Sequence, residues 1–311
     1  MPSNPTDTAL IAADWGTTSL RAWRLDRTGA IAERRRGPLG IMHVADAGFG
    51  AALHGLIGDW LDASAAPVLM AGMIGSRQGW VEAPYAPCPA GLTSISRELV
   101  AVSDNPRIRI VPGICIRGVG APDVARGEET QILGLDAAGK TLAILPGTHS
   151  KWAWIEDGDI QWFTTFLTGE LYGVLRQHSI LGRLMEDREQ GGDIPDGFTA
   201  GLDDVMAQDG PGPLQALFAE RTRGLFGDLR ADELPGYLSG ILIGSEIKEA
   251  LRAIRRRAEV PAAAWLIGAD TLVPLYAHAL RRAGIDTHLA GEECAARGLF
   301  RIAQAAGLVR H

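Results

Sequence analysis

Two short stretches of this chain offer the same set of polar groups. Gly16-Thr17-Thr18-Ser19-Leu20-Arg21-Ala22-Trp23 and Gly147-Thr148-His149-Ser150-Lys151-Trp152-Ala153-Trp154 share the pattern Gly-Thr-x-Ser-x-x-Ala-Trp. Each follows an apolar run, Ala9–Ala13 in the first copy and Leu142–Leu145 in the second. A glycine-threonine-serine turn between strands presents backbone N–H groups and hydroxyls, the donors that a phosphate chain needs. A repeat of this kind points to two similar domains, and two such turns facing one cleft are expected to hold one nucleotide. Asp14 precedes the first turn and can direct Mg2+, largely through water, because that ion sheds its hydration reluctantly. The plainer reading is an aspartate that caps a hairpin. Leu145-Pro146 replaces the acid in the second copy, so Gly147 and Thr148 can donate but add no metal ligand. His149 can touch a phosphate or serve the turn structurally.

The acids that could move a proton lie elsewhere. Arg126-Gly127-Glu128-Glu129-Thr130-Gln131 opens a predicted helix. Acids in a first turn complement the helix dipole, but Glu128 or Glu129 can equally act as a general base towards an attacking hydroxyl. The glycine-rich, aromatic run Met70–Trp80, followed by Pro84-Tyr85, reads as a functional loop on a strand end. Met73, Ser76, Arg77, Trp80 and Tyr85 are its candidate substrate contacts, and Arg77 or Arg21 can form a forked contact to a carboxylate. Thr168 and Glu170 are further substrate candidates, although Thr168 also reads as a helix N-cap. For the nucleotide base the sequence offers the turn Gly268-Ala269 after an apolar strand. Gly240 and Gly244, four apart on one helix face, line the nucleotide cleft or pack a neighbouring helix.

The elements that must position these groups follow from periodicity and turn residues. Strands are expected at 8–14, 19–25 and 30–36, a helix over 46–62, and strands at 67–70 and 108–111 around a loop-bearing insertion, 72–106. A helix over 127–137 ends the first half. The pattern restarts with strands at 141–146, 150–155 and 159–166 and a helix from Thr168. An insertion at 182–235 carries two short helices. Helix 236–257, strand 262–267, helix 271–283, strand 285–289 and helix 292–306 complete the chain. This is α/β architecture with two actin-like (ribonuclease H-like) ATPase domains around a central nucleotide cleft. Domains are expected at 1–138 and 139–311, with the last helix packing back on the first. Gly134–Thr141 spells a Walker A motif, but there a helix ends and a strand begins, the reverse of the order that motif requires.

Composition narrows the classes. The 311 residues are 46% hydrophobic and 22% charged, with a net charge of −7, which argues against general affinity for nucleic acid or anionic membrane. Arg34–Arg36 and Arg255–Arg257 read as solvated element ends. Cys88, Cys115 and Cys294 are too few and too dispersed for a disulfide framework or a cysteine metal site. The N-terminal residues lack a secretion signal, and no apolar run nears the ~20 residues that span a bilayer. A cytoplasmic protein is expected, with a homodimer left open.

Together these segments resemble the 2-dehydro-3-deoxygalactonokinases of the sugar kinase, Hsp70 and actin superfamily. The likeness runs from Ile11 to about Ala306. It is carried by Asp14–Ser19 with Arg21–Trp23, Met70–Gly75 with Gly79-Trp80 and Pro84-Tyr85, and Arg126–Gln131. Pro146–His149, Thr168–Leu171, Phe198–Gly201 and Leu238–Glu246 extend it. The Asp-x-Gly-Thr turn alone marks the superfamily, whereas Met-Ala-Gly-Met, Arg-Gly-Glu-Glu-Thr and Pro-Gly-Thr-His are more specific. The resemblance implies ATP- and Mg2+-dependent phosphorylation of the C6 hydroxyl of 2-dehydro-3-deoxy-D-galactonate, a small sugar acid, in galactonate breakdown. Sugar kinases of the superfamily usually use an aspartate base. The Gly-Glu-Glu setting here also resembles exopolyphosphatases, so a polyphosphate hydrolase, or a kinase for another acid such as 2-keto-3-deoxygluconate, stands as the alternative.

Overall fold

The computed structural model describes residues 8–44, 48–118, 120–186 and 194–309. It opens with β1 (Leu10–Trp15), β2 (Leu20–Leu25) and β3 (Ile31–Gly37), paired antiparallel through tight turns. Helix α1 (Gly48–Ala63) and β4 (Val68–Ala71) follow, then β5 (Tyr85–Pro87), α2 (Leu92–Arg97), β6 (Val100–Val102) and β7 (Asn105–Ile110). Strands β8 (Gly113–Ile116) and β9 (Asp123–Ala125) lead into α3 (Glu128–Leu133). The meander then recurs as β10 (Lys140–Leu145), β11 (Ser150–Glu156) and β12 (Asp159–Phe166), followed by α4 (Thr168–His178). Helices α5 (Phe198–Met206), α6 (Pro213–Phe226) and α7 (Leu234–Arg255) precede β13 (Ala263–Ile267), α8 (Val273–Arg282), β14 (Asp286–Ala290) and α9 (Cys294–Ala305).

The strands form sheets in the orders β3-β2-β1-β4-β7-β6, β12-β11-β10-β13-β14 and β5-β8-β9. In each large sheet the first strand of a meander pairs parallel with a later strand, β1 with β4 and β10 with β13. A strand inside such a sheet is covered on both faces, which requires a continuous apolar run. Accordingly, β1 is buried at all six positions. Strand β3, at the edge, alternates in exposure and carries the Arg34–Arg36 run. Charge on an edge blunts pairing with other chains, and Arg35 is tied to Glu33 and to Asp59 of α1.

The chain divides into two compact units. Unit 1 takes the chain up to Thr141, Ala153–Phe163 and the chain from Ala290; unit 2 takes Leu142–Trp152 and Thr164–Leu289. Ile11, Trp15, Leu53, Trp60, Met70 and Ile110 belong to the core of unit 1. In unit 2 helix α7 carries the apolar face, with Tyr237 and Ile241 in one cluster and Leu238 and Leu242 in another.

The expected insertion at 72–106 is more ordered than its composition suggested. It contains β5, α2 and β6; β6 completes the edge of the six-stranded sheet, and β5 pairs parallel with β8. Strands of three residues are too short to show alternation, and the β8 partner of β5 lies well along the chain, although β6 turns directly into β7. The region 182–235 carries α5 and a 14-residue α6, while 187–193 lie outside the described residues.

Within unit 1, α3 and α9 meet backbone to backbone. A Cβ on Gly298 would collide with the Thr130 carbonyl oxygen, and one on Gly134 with that of Cys294. Gly55 in α1 has nothing within 4 Å of such an atom. Gly298→Ala is therefore expected to destabilise the protein by about 1–3 kcal/mol through overpacking, whereas Gly55→Ala should stabilise it by about 0.5–1 kcal/mol. Denaturant midpoints of the two variants against the wild type measure both signs.

Candidate active site

In unit 1, Asp14 near the end of β1 is almost fully buried and faces Arg21 across the β1–β2 register. The Arg21 guanidinium pairs with Asp14 Oδ2 and, through Nη1, with Glu292 Oε1 at 3.1 Å. Burial pushes the Asp14 carboxyl up, Arg21 pulls it back, and the charges of Glu128 and Glu292 push it further up. Arg21, expected on a substrate carboxylate, is thus engaged by two acids of its own unit. Asp14 Oδ1 faces bare backbone. A Cβ on Gly72 would lie 3.0 Å from it and 2.7 Å from the Trp15 carbonyl oxygen, and one on Gly127 would lie 3.9 Å from Oδ1. Both glycines are left-handed, at φ +91° and +106°, a conformation that costs a side chain dearly.

Gly127 also turns the chain into α3, which brings Glu128 near enough to Asp14 for its charge to act there. Glu128 is half-buried and its Oε2 accepts the Arg126 N–H at 2.9 Å. Glu129 is fully buried; its Oε2 accepts the Gly127 N–H at 2.7 Å while its Oε1 has no partner. Burial, with the Glu128 charge second, pushes the Glu129 carboxyl up to about 8. The pair therefore separates into a neutral acid and an acid within reach of water.

In the adjoining turn, the Gly16 N–H donates to the Ser19 carbonyl oxygen at 2.9 Å, and Thr17 and Thr18 are exposed. The expected substrate loop splits. Met73 and Trp80 pack against the core, Trp80 stacking on Phe49, and the Ser76 hydroxyl is buried without a partner. Arg77 and Tyr85 instead line a cavity of about 630 Å3 with Arg117. There Arg77 Nε donates to Glu82 at 3.0 Å, and the Arg126 guanidinium lies 4.2 Å over the Tyr85 ring. Arg117 escaped sequence reasoning because an arginine in a loop carries no pattern.

In unit 2, Gly147 has open space around it, while Thr148 and His149 are exposed. His149 Nε2 pairs with Glu170, and the Glu170 N–H donates to the Thr148 carbonyl oxygen at 3.0 Å. Helix α4 thus starts directly on the hairpin turn. A Cβ on Gly169 would lie 2.8 Å from the Thr148 Cα, so only glycine permits this approach. Beside it opens a pocket of about 310 Å3, lined among others by Gly147, Thr168, Gly169, Ser239, Leu272 and Tyr276. Of the residues expected at the nucleotide base, Gly240, Gly244, Gly268 and Ala269 do not line it. Gly240 and Gly244 face α5, where their Cβ atoms would meet Phe198 and Val205. Their neighbours Ser239 and Leu272 do line the pocket.

Beneath the pocket Glu246 is buried. Its Oε1 accepts from Ser150 Oγ and Trp152 Nε1, both at 2.7 Å, and its Oε2 from Tyr276 at 2.6 Å and from Thr168. Leu238, Leu242 and Glu246 recur every four residues on a buried helix face, so an acid in an apolar stripe was the available signal.

The residues present suit Mg2+. Asp14 is a hard oxygen donor, and Gly72 and Gly127 keep side chains away from its Oδ1; that ion typically takes one or two carboxylates plus substrate phosphates.

The chain matches the 2-keto-3-deoxy-galactonokinase family over residues 14–302. It is 36% identical to the 2-dehydro-3-deoxygalactonokinase of Escherichia coli, covering 95% of this chain and 97% of that protein. A crystal structure from Sinorhizobium meliloti, assigned as a candidate 2-dehydro-3-deoxygalactonokinase, superposes with a TM-score of 0.86 at 35% identity, covering 95% and 98% of the two chains. At 10% identity and a TM-score of 0.50, covering 97% and 90%, the gluconate kinase of Lactobacillus acidophilus shares the fold alone. The fold is that of the actin-like sugar kinases.

Neutral Glu129 has a consequence for stability. Its folded value of about 8 exceeds an ordinary 4.5, so the folded state binds the extra proton. The stabilisation is complete below about 4.5 and is lost as pH rises through about 8. Glu129→Gln mimics the neutral acid and should flatten this decline. Its melting temperature at pH 8.5 should exceed that of the wild type by about 2–4 °C per kcal/mol recovered, with little difference at pH 4.5. Melting curves across that range check it.

Proposed function

We propose that this chain, which belongs to the 2-keto-3-deoxy-galactonokinase family, transfers the γ-phosphoryl group of ATP to the C6 hydroxyl of 2-dehydro-3-deoxygalactonate in the cytoplasm. The observation that carries the reading is the convergence of Asp14 and Glu128 across two left-handed glycines. Phosphoryl transfer asks a protein mainly for positioning and for charge at the phosphate oxygens. Asp14 would hold Mg2+, which when bound neutralises charge on the phosphates, while Glu128 beside it serves the proton.

The remaining work falls to the chain itself. The hydroxyl attacks the γ-phosphorus in line, forming the new O–P bond as the bond to the ADP oxygen breaks. The hydroxyl proton passes to the Glu128 carboxylate. Glu129, protonated near neutral pH, cannot take it. The cavity bearing Arg77, Arg117 and Tyr85 suits the sugar-acid carboxylate, since planar guanidinium groups grip carboxylates in pairs. In unit 2, the pocket walled by Leu272, Leu275 and Tyr276, its surface mostly apolar, suits the apolar faces of a nucleoside. The Gly147 turn and the first turn of α4 offer backbone N–H groups to phosphates.

A coupled ADP-release assay with both C4 epimers of the 2-keto-3-deoxy sugar acid tests the reaction; no ADP release above background with either would overturn it. Glu128→Gln should lower kcat by about 100-fold or more without weakening nucleotide binding, while Glu129→Gln should stay within about tenfold of wild type. Ser239→Trp, which fills the unit 2 pocket, should abolish ADP binding measured by calorimetry.

A further inference from the structure

Glu246 is a buried acid that the reaction itself does not use. Each of its two oxygens takes two donors, which fills the acceptor capacity of a carboxylate. The donors come from separate elements: Ser150 and Trp152 from β11, Thr168 from the start of α4, and Tyr276 from α8. Glu246 itself stands on α7, one helical turn beyond Leu242, which lines the pocket above. All these elements meet nowhere else through a single side chain among the hydrogen bonds described. Two of the groups held, Thr168 and Tyr276, line the pocket, as does Gly169 next to Thr168, and Ser150 closes the turn that begins at Gly147.

Resting on the nucleoside reading of that pocket, we propose that Glu246 is a positioning residue for nucleotide binding. By gripping Thr168 and β11 together, it sets the spacing between the Gly147 turn and the first turn of α4. That spacing decides whether the amides of both can reach one phosphate chain. Phosphate donors displaced by about an ångström lose much of their effect. Glu246 makes no contact with the nucleotide in this account, and the sugar acid is bound by other residues.

Glu246→Gln preserves size but converts one acceptor oxygen into an N–H donor opposite hydroxyl donors. Thr168→Val removes one donor and keeps the shape, and Thr168→Ser restores it. In calorimetry with ADP at a temperature where each variant is folded by circular dichroism, Glu246→Gln and Thr168→Val should raise the Kd at least tenfold. Thr168→Ser should bring it back to within threefold of wild type, and the KM for the sugar acid should move less than threefold throughout. Lowered melting temperatures with unchanged ADP affinity would reduce Glu246 to a structural role and overturn the proposal. Should Glu246→Gln not fold, the Thr168 pair decides alone. If Ser239→Trp binds ADP like wild type, the pocket reading itself fails. If Ser239→Trp is blocked while Thr168→Val binds normally, only the positioning role is lost.

Discussion

A carboxylate taken out of water must be met by a cation, by hydrogen-bond donors or by a proton, because its desolvation otherwise costs several kcal/mol. Three buried acids of this fold show the three remedies. Asp14 is met by the Arg21 guanidinium, itself shared with Glu292. Glu246 is met by four neutral donors. Glu129, with one oxygen unpartnered, is met by a proton. Each remedy leaves a different chemical capacity. Asp14 has a cation at one oxygen, Glu246 has donors at both, and Glu129 keeps one oxygen without a partner.

The same logic separates the two hairpins. Their backbones follow one pattern, a buried strand, an open Gly-Thr turn and a second buried strand. The acid survives only in the first. In the second, Pro146 occupies the corresponding region, and the nearest carboxylate, Glu170, is taken by His149. In the second copy the demand that the structure shows is steric: Gly169 lets α4 begin against the turn itself.

Much of this was legible in the sequence, because long apolar runs and tight turns report directly on strands such as β1 and β10 and on the hairpins between them. Helices α7 and α9 were equally visible from their periodic burial. Arg21 was not, since a strand residue opposite Asp14 is assigned only once the register is known. Gly240 and Gly244 show the limit most clearly. A glycine pair at helical spacing signals close approach of something, and whether that is a ligand or helix α5 is a tertiary fact. The role of Glu246 was likewise hidden, since its donors lie 30 to 96 residues away. Three-residue strands β5 and β6 left no periodic trace at all.

The adjacent glutamates, between which the sequence offered no choice, sit in different surroundings. Two acids in one helical turn near Asp14 cannot all be charged cheaply, as like charges at short range raise each other's affinity for protons. The environment breaks the tie. Glu129 points into the protein and carries the desolvation, and the charge on Glu128 adds to its neutrality. The proposal of Glu128 as the base thus rests on where Glu129 is buried as much as on the position of Glu128 itself.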